Sequence, residues 1–231
     1  MLMSDKWIRK QCEENEMIVP FLTENVNTLP NGKKMPSAGL SSYGYDIRLG
    51  RNFKFFNRTK STVEVFAEEL RMQCPDPLPF VTPRTSNVLG SPGPFYQPIV
   101  GGDVYDVCEP DNDLITEVVD TDWLVIPPRG FVLGVSLERI KVPRNISVVC
   151  MGKSTLARSG LIVIVTPLEA GWEGYVTLEI LNVLDLPVRI HAGMGVTQLQ
   201  FFQGNEDCDV SYADRNGKYN NQPPEAIPPR L

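Results

Sequence analysis

The sequence predicts an all-β protein with a few short helices, built as a distorted barrel or a jelly-roll-like sandwich. From residue 123 onward, six short runs rich in β-branched and aromatic residues follow one another, separated by turns that contain proline or glycine. Many short strands separated in this way are typical of sandwiches and barrels, not of folds that alternate strands with long helices. The six runs are WLVI, FVLGVSLE, ISVVCM, LIVIV, YVTLEILN and VTQLQFF.

The N-terminal part predicts one helix before the first strands. Residues 4–14 place Trp7, Ile8 and Cys12 roughly on one side of a helix that a serine and an aspartate could cap. The segment SSYGYDIRLG then leads into NFKFF, which has the composition of a strand. A single further helical turn is expected at STLARSG, between two of the later strands.

Two segments depart from the strand pattern. Residues 75–110 carry eight of the twenty prolines, which excludes a long helix or a central strand and predicts an ordered surface insert. The last residues, from about 211 to 231, are polar and rich in proline and asparagine, and suit a tail that folds over something. We therefore expect one domain over residues 1–231, with an insert near 75–110 and a C-terminal tail.

Composition limits the partners that we expect. The 231 residues carry a net charge of −6, whereas binding to long nucleic acid needs a broad basic surface. The longest apolar run, Leu161 to Val165, is far shorter than the ~20 residues of a membrane helix. The N-terminus lacks the apolar run of a secretory signal, and the five widely spaced cysteines predict free thiols. We expect a cytoplasmic protein without nucleic acid or membrane partners. The net negative charge does not exclude a small anionic ligand, which needs only a few local cations.

The first segment that could carry chemistry is GKSTLAR, residues 152–158. A helix that begins there would present free N–H groups to phosphate, supported by Lys153 and Arg158. It is not a Walker A loop, because Ser147 stands where that motif needs a glycine. Either Ser154 merely caps the helix or the segment binds phosphate, and local sequence leaves both open.

The second segment is the strand YVTLEILN. Alternation places Val176, Leu178 and Ile180 on a core face, with Thr177 and Glu179 on the other. A carboxylate there lies either on a solvated face or in a binding site. In a dry site its pKa would rise toward neutrality, as a general base requires.

Two more segments contain aromatic residues. Trp172, within GWEG, belongs either to an ordinary hairpin with a packed indole or to a ligand platform. The tail is either a solvated terminus or a segment that binds a nucleotide, since it combines aromatic, cationic and amide side chains. These residues are Tyr212, Arg215, Lys218, Tyr219 and Gln222.

Some chemistry is absent from the sequence. Zinc-dependent nucleoside deaminases need a His or Cys ligand plus a Cys-x-x-Cys pair, and this chain has one histidine and no such pair. The single histidine, His191, is expected to be structural. No G-x-S-x-G elbow of a serine hydrolase is present.

Together, five motifs in order resemble the dCTP deaminase family, a branch of the trimeric dUTPase-like fold. The resemblance covers roughly residues 4–60 and 120–222. The motifs are SSYGYDIRLG, GKSTLARSGL, GWEGYVTLEILN, GMGVTQLQFF and YADRNGKYNNQ.

The resemblance implies the following roles. Glu179 would be the general base that activates water at C4 of cytosine, while Ser154 and Arg158 order that water and stabilise developing charge. The family acts as a homotrimer with sites between subunits, binds its triphosphate with Mg²⁺ and without zinc, and is often inhibited by dTTP. Implied contacts to substrate are Lys153, Ser154, Thr155, Leu156, Ala157, Arg158, Glu169, Trp172, Thr177, Leu178, Glu179, Gln198, Tyr212, Lys218 and Gln222.

Two departures from the family pattern bear on function. Glu169-Ala170 stands where the family usually has aspartate and proline. Lys153 stands where the family often has arginine, whose guanidinium can bind phosphate through two hydrogen bonds at once, which lysine cannot do.

The expected activity is hydrolysis of dCTP to dUTP and ammonia, which supplies dUTP for thymidylate synthesis. The alternatives are a bifunctional enzyme or dUTPase that uses Glu169 and releases dUMP and pyrophosphate, and a nucleotide-binding trimer without catalysis.

Overall fold

A computed structural model describes residues 1–56 and 115–230 of the chain. The proline-rich segment 75–110, Cys74 and Cys108 lie outside the described residues. In chain order the described elements are α1 (Asp5–Asn15), β1 (Ile18–Val19), β2 (Val26–Thr28), β3 (Lys34–Ser41), β4 (Gly44–Phe56), β5 (Ile115–Asp120), β6 (Trp123–Ile126), β7 (Phe131–Lys141), β8 (Ile146–Gly152), α2 (Ser154–Arg158), β9 (Leu161–Ile164), β10 (Glu173–Asn182), β11 (Val188–His191) and β12 (Gly195–Gln203).

The strands confirm the all-β prediction. Ten of them form one antiparallel sheet with a central order β2-β3-β4-β7-β10-β9, to which β1, β5, β8 and β12 attach. The first residues of β4 pair with β12, and its later residues pair with β7 and β5. One long strand therefore belongs to both halves of the sheet, which curls around it. Strands β6 and β11 form a separate two-stranded sheet.

The core lies inside this curl. The alternation predicted for β10 is confirmed, since Val176, Leu178 and Ile180 are buried and the residues between them are half-buried. Tyr45 and Phe53 are the bulkiest of the side chains from β4 that are fully buried. Each side chain of this size stabilises the fold by about 1.5–3 kcal/mol when it leaves water.

The described cysteines behave as free structural thiols. Cys12, Cys150 and Cys208 form no disulfide. Burial raises the pKa of Cys12 and of Cys150 to about 12, so both thiols stay protonated at neutral pH. Neither helix within residues 1–56 and 115–230 has the length and apolarity needed to cross a bilayer.

Candidate active site

A cavity of about 470 Å³ lies against the polar face of β10. This volume is within the range of pockets for small organic ligands. Its floor carries Thr177 and Glu179, one wall is the segment that follows β9, and the C-terminal tail closes the far side. The lining residues are Val165, Thr166, Pro167, Leu168, Glu169, Trp172, Val176, Thr177, Glu179, Tyr212, Lys218, Tyr219 and Gln222.

Glu179 lies near the middle of the strand that forms this floor. Its backbone is opposite Leu133 of β7 on one side and Ile164 of β9 on the other. The side chain is half-buried, and none of the described cations forms an ion pair with it. Burial raises its pKa to about 7, an effect only partly offset by a hydrogen bond from its own backbone N–H. Of the two alternatives left open by the sequence, the structure places this carboxyl in a cavity, with a proton affinity suited to acid–base catalysis at neutral pH.

The C-terminal tail is docked on the same chain as a cover over the cavity. Trp172 donates its indole N–H to the backbone oxygen of Tyr219 at 3.0 Å, and the Tyr219 N–H donates to the Tyr212 hydroxyl at 3.1 Å. The Thr177 hydroxyl accepts hydrogen bonds from the Gln222 amide and from the backbone N–H of Ile227. The tail is therefore not a solvated terminus. Of the residues predicted from its composition, Tyr212, Lys218, Tyr219 and Gln222 line the cavity, whereas Arg215 does not.

Gly174 allows this close approach. It adopts a φ of +142°, a region that side chains disfavour, and it forms a parallel bridge with Gln222. A Cβ atom at this position would lie 2.6 Å from the Gln222 backbone nitrogen. Any side chain here would displace the tail from the floor of the cavity.

The segment predicted to bind phosphate lies outside this cavity. Helix α2 starts at Ser154 as expected, but its N-cap is Lys153 and no side chain caps it, so the capping interpretation of Ser154 is wrong. Ser154, Thr155 and Arg158 are exposed, and no hydrogen bond of the Ser154 hydroxyl occurs within the described part of the chain. Leu156 is buried in the core, which leaves its side chain unavailable to a ligand. Ala157 is exposed beside them.

Lys153 is engaged within the protein. Its ammonium lies 2.5 Å from a carboxylate oxygen of Asp46 on β4 and 3.3 Å from the Ser37 hydroxyl on β3. The Lys153 and Asp46 side chains are 12% and 5% exposed, so the pair is nearly buried. The other Asp46 oxygen is buried without a partner among the described residues. A phosphate contact by Lys153 would compete with this ion pair, which fastens the start of α2 to the sheet.

Three other predicted residues differ in their position: Glu169 lines the cavity, whereas Leu178 and Gln198 do not. Glu169 is at the cavity but forms an exposed ion pair with Arg215 of the tail. Leu178 is fully buried on the core face of β10 and is not part of the lining. Gln198 is half-buried on β12 beside Asp46 and is not part of the lining.

Three features were not predicted from the sequence: two of them line the cavity, and the third pairs with Lys153 outside it. The wall formed by residues 165–168 has no motif of its own and is recognisable only because it directly precedes Glu169. Tyr219 was noted in the tail but not assigned to the site. Asp46 is inside the SSYGYDIRLG segment, where a carboxylate between the buried Tyr45 and Ile47 was the available signal.

Comparisons of the sequence with known proteins identify related proteins. A family described as dCTP deaminase-like matches residues 89–204. Proteins named dCTP deaminase from Burkholderia mallei (strain SAVP1) and Halorhodospira halophila (strain DSM 244 / SL1) are 40% identical over 227 residues, covering 98% of this chain and 98% of each relative.

Solved structures give weaker matches. The 2'-deoxycytidine 5'-triphosphate deaminase from Agrobacterium tumefaciens is 17% identical with a TM-score of 0.48, and the match covers 88% of this chain and 48% of that one. The EIAV dUTPase is 22% identical with a TM-score of 0.33, covering 37% and 72% of the two chains. The assignment rests on the full-length sequence matches: the chain belongs to the dCTP deaminase-like family.

Proposed function

We propose that this protein hydrolyses the 4-amino group of dCTP, releasing dUTP and ammonia and so supplying dUTP for thymidylate synthesis. The observation that carries the proposal is Glu179, a half-buried carboxyl with a pKa of about 7 in a nucleotide-sized cavity. The names of the full-length relatives support the choice of substrate.

The chemistry needs one group that both accepts and returns a proton. Ionised Glu179 removes a proton from a water molecule, the resulting hydroxide forms a bond to C4 of cytosine, and the protonated Glu179 transfers that proton to N3. Glu179 then takes the proton of the new C4 hydroxyl and gives it to the amino group, which breaks the C4–N bond and releases ammonia, leaving a C4 carbonyl. A carboxyl with a pKa near the working pH serves both steps, because neither ionisation state is strongly favoured.

The cavity walls suit a pyrimidine nucleotide. Trp172 and Tyr212 supply aromatic surface to the lining, and Lys218 supplies an exposed cation. The Thr177 hydroxyl is held by the tail, so the closed tail also fixes the floor next to Glu179. We infer that dTTP, a pyrimidine triphosphate of similar size, would compete for the same cavity.

Magnesium fits this site as a partner of the substrate. Among the described residues no group of three or more acidic, cysteine or histidine side chains could hold a metal ion. Mg²⁺ is commonly bound through substrate phosphates and water, where it neutralises phosphate charge. We propose that zinc takes no part, since the whole sequence lacks the ligand set of zinc deaminases.

We also propose a homotrimer whose subunits share each site. Ser154, Thr155 and Arg158 are polar, exposed and absent from the lining of their own cavity. The outward faces of the adjacent strands are apolar and exposed, as expected for a surface that a second copy covers. These apolar residues are Val149, Met151, Ile162 and Ile164. In such an assembly, α2 of one subunit would complete the cavity of its neighbour.

Product analysis tests the proposed reaction. Purified protein supplied with dCTP and Mg²⁺ is expected to release ammonia and dUTP in equal amounts, measured by a coupled ammonia assay and by chromatography of the nucleotides. Release of dUMP and pyrophosphate would instead support the bifunctional alternative, with Glu169 at the cavity rim as the additional acid. Binding of dCTP without any ammonia would contradict catalysis and favour a binding protein.

The pH dependence of the reaction is expected to follow Glu179. Because the base must be ionised, kcat/KM should fall as pH decreases through about 7, the pKa of Glu179 in the free protein.

The folding stability of the protein should change with pH in the opposite direction. The folded state disfavours the ionised carboxyl, so the free energy of unfolding should fall by about 3 kcal/mol as pH rises from below 4 to above 8. Denaturant titrations of wild type and Glu179→Gln across this range isolate the contribution, and equal pH slopes for the two proteins would contradict it.

A further inference from the structure

A second cavity, of about 760 Å³, lies where the two sheets meet. Its walls come from β2 and the turn that follows it, from β4, and from the β6–β11 pair. It shares no lining residue with the cavity that contains Glu179. Nothing in the proposed deamination uses it.

The charge lining this cavity is unbalanced. Of its four cations, Arg48 is neutralised by the buried Glu138 at 2.6 Å, and Arg51 is neutralised by two aspartates. No carboxylate of the described residues forms an ion pair with the remaining two, Lys33 and Arg189. Four cations thus face three carboxylates, which leaves an excess of one positive charge, and Lys33 and Arg189 are the two cations free to attract an anion.

These two cations converge on His191. The Lys33 ammonium donates a hydrogen bond to Nε2 of His191 at 2.9 Å, which requires a neutral imidazole with its proton on Nδ1. Burial lowers the pKa of His191, and the charges of Lys33 and Arg189 lower it further. The Arg189 guanidinium is stacked 4.4 Å from the ring centre of Trp123, the residue opposite His191 in the sheet. Three groups able to donate hydrogen bonds to an anion thus lie on one side of the cavity.

The remaining wall is apolar. The side chains that form it are Leu22, Val26, Leu29, Met35, Trp123 and Leu137. An inorganic anion would leave this surface exposed to water, whereas a ligand with an apolar body would cover it. We propose that this cavity binds a small organic anion, with a carboxylate or phosphate group between Lys33, Arg189 and His191 and a flat apolar body against the remaining wall.

The single histidine of the chain gives a local readout of this site. The imidazole C–H signals of His191 can be followed by NMR through a pH titration of the full-length protein. The probes are 2-naphthoate, which has both features, acetate, which has only the charge, and 2-naphthamide, which has only the aromatic body. Saturating 2-naphthoate should raise the pKa of His191 by about one unit, because a bound anion favours the imidazolium form. Acetate and 2-naphthamide at the same concentration should leave it unchanged.

Two substitutions locate the binding. Lys33→Gln and Arg189→Gln should each weaken the affinity for 2-naphthoate by about tenfold, the loss expected for one charged hydrogen bond. Lys6→Gln removes an exposed lysine of α1 outside the cavity and serves as the matched control. The proposal is overturned if 2-naphthoate leaves the pKa of His191 unchanged, if either partial probe reproduces its effect, or if both substitutions leave its affinity at the wild-type value.

Discussion

Replacing Glu179 by glutamine is expected to lower kcat for ammonia release by about three orders of magnitude, the range assigned to general acid–base catalysis. Glutamine has nearly the same shape and keeps one carbonyl oxygen, so the floor of the cavity should remain intact. It cannot accept a proton from water, which stops the first step. Because the ionised carboxyl is disfavoured in this half-buried position, the substitution should not weaken dCTP binding by removing a favourable charge.

The measurement separates chemistry from binding. Ammonia release gives kcat and KM for the active proteins, and equilibrium titration of Glu179→Gln with dCTP gives the affinity of the inactive variant. Glu206→Gln, which changes an exposed glutamate outside the cavity, is the matched control and should retain the wild-type kcat and KM. Ammonia release at the wild-type rate from Glu179→Gln would remove the general base from the proposed mechanism.

The site on β10 could be predicted from sequence because its signal is local. Alternation with period two places Val176 and Leu178 on one face and Thr177 and Glu179 on the other, and the observed burial follows this pattern. What the pattern could not determine is whether the second face borders water or a cavity. That depends on the tail, whose contacts with Thr177 and Trp172 join residues far apart in the chain.

The environment of Lys153 shows the opposite case. Local sequence correctly predicts a helix that starts at Ser154, and it identifies Lys153 as a free cation near that start. The partner, Asp46, belongs to β4, and the two residues meet only because β12 pairs with both β4 and β8. Long-range strand order of this kind has no local signal, since it depends on how the whole sheet closes.

The same limit applies to the second cavity. The sequence predicts a structural role for His191 because it is a single histidine beside Pro-rich strand ends. Its surroundings depend on the turn after β2, which brings Lys33 within hydrogen-bonding distance of the ring. Pairing of β11 with β6 then places Arg189 near the same ring and over Trp123.

Mixing two inactive variants is expected to restore activity if subunits share the site. A Glu179→Gln chain lacks the carboxyl and an Arg158→Ala chain lacks the guanidinium, so each homotrimer should be inactive. In mixed trimers, a site that takes its carboxyl from one subunit and its guanidinium from the next has both groups in about one case in four. Co-expression or refolding of the two chains in equal amounts should therefore recover roughly a quarter of the wild-type rate.

A double variant provides the control. Mixing Glu179→Gln with a chain that carries both substitutions leaves every site without the carboxyl, so no activity should return. If the first mixture also remains inactive although mixed trimers are present by mass spectrometry, Arg158 and Glu179 act in the same subunit. An Arg158→Ala homotrimer that is active by itself would show that Arg158 has no role. The position of α2 argues for recovery, because the exposed Ser154 and Arg158 side chains are not part of the lining of the cavity beside β10 of their own chain.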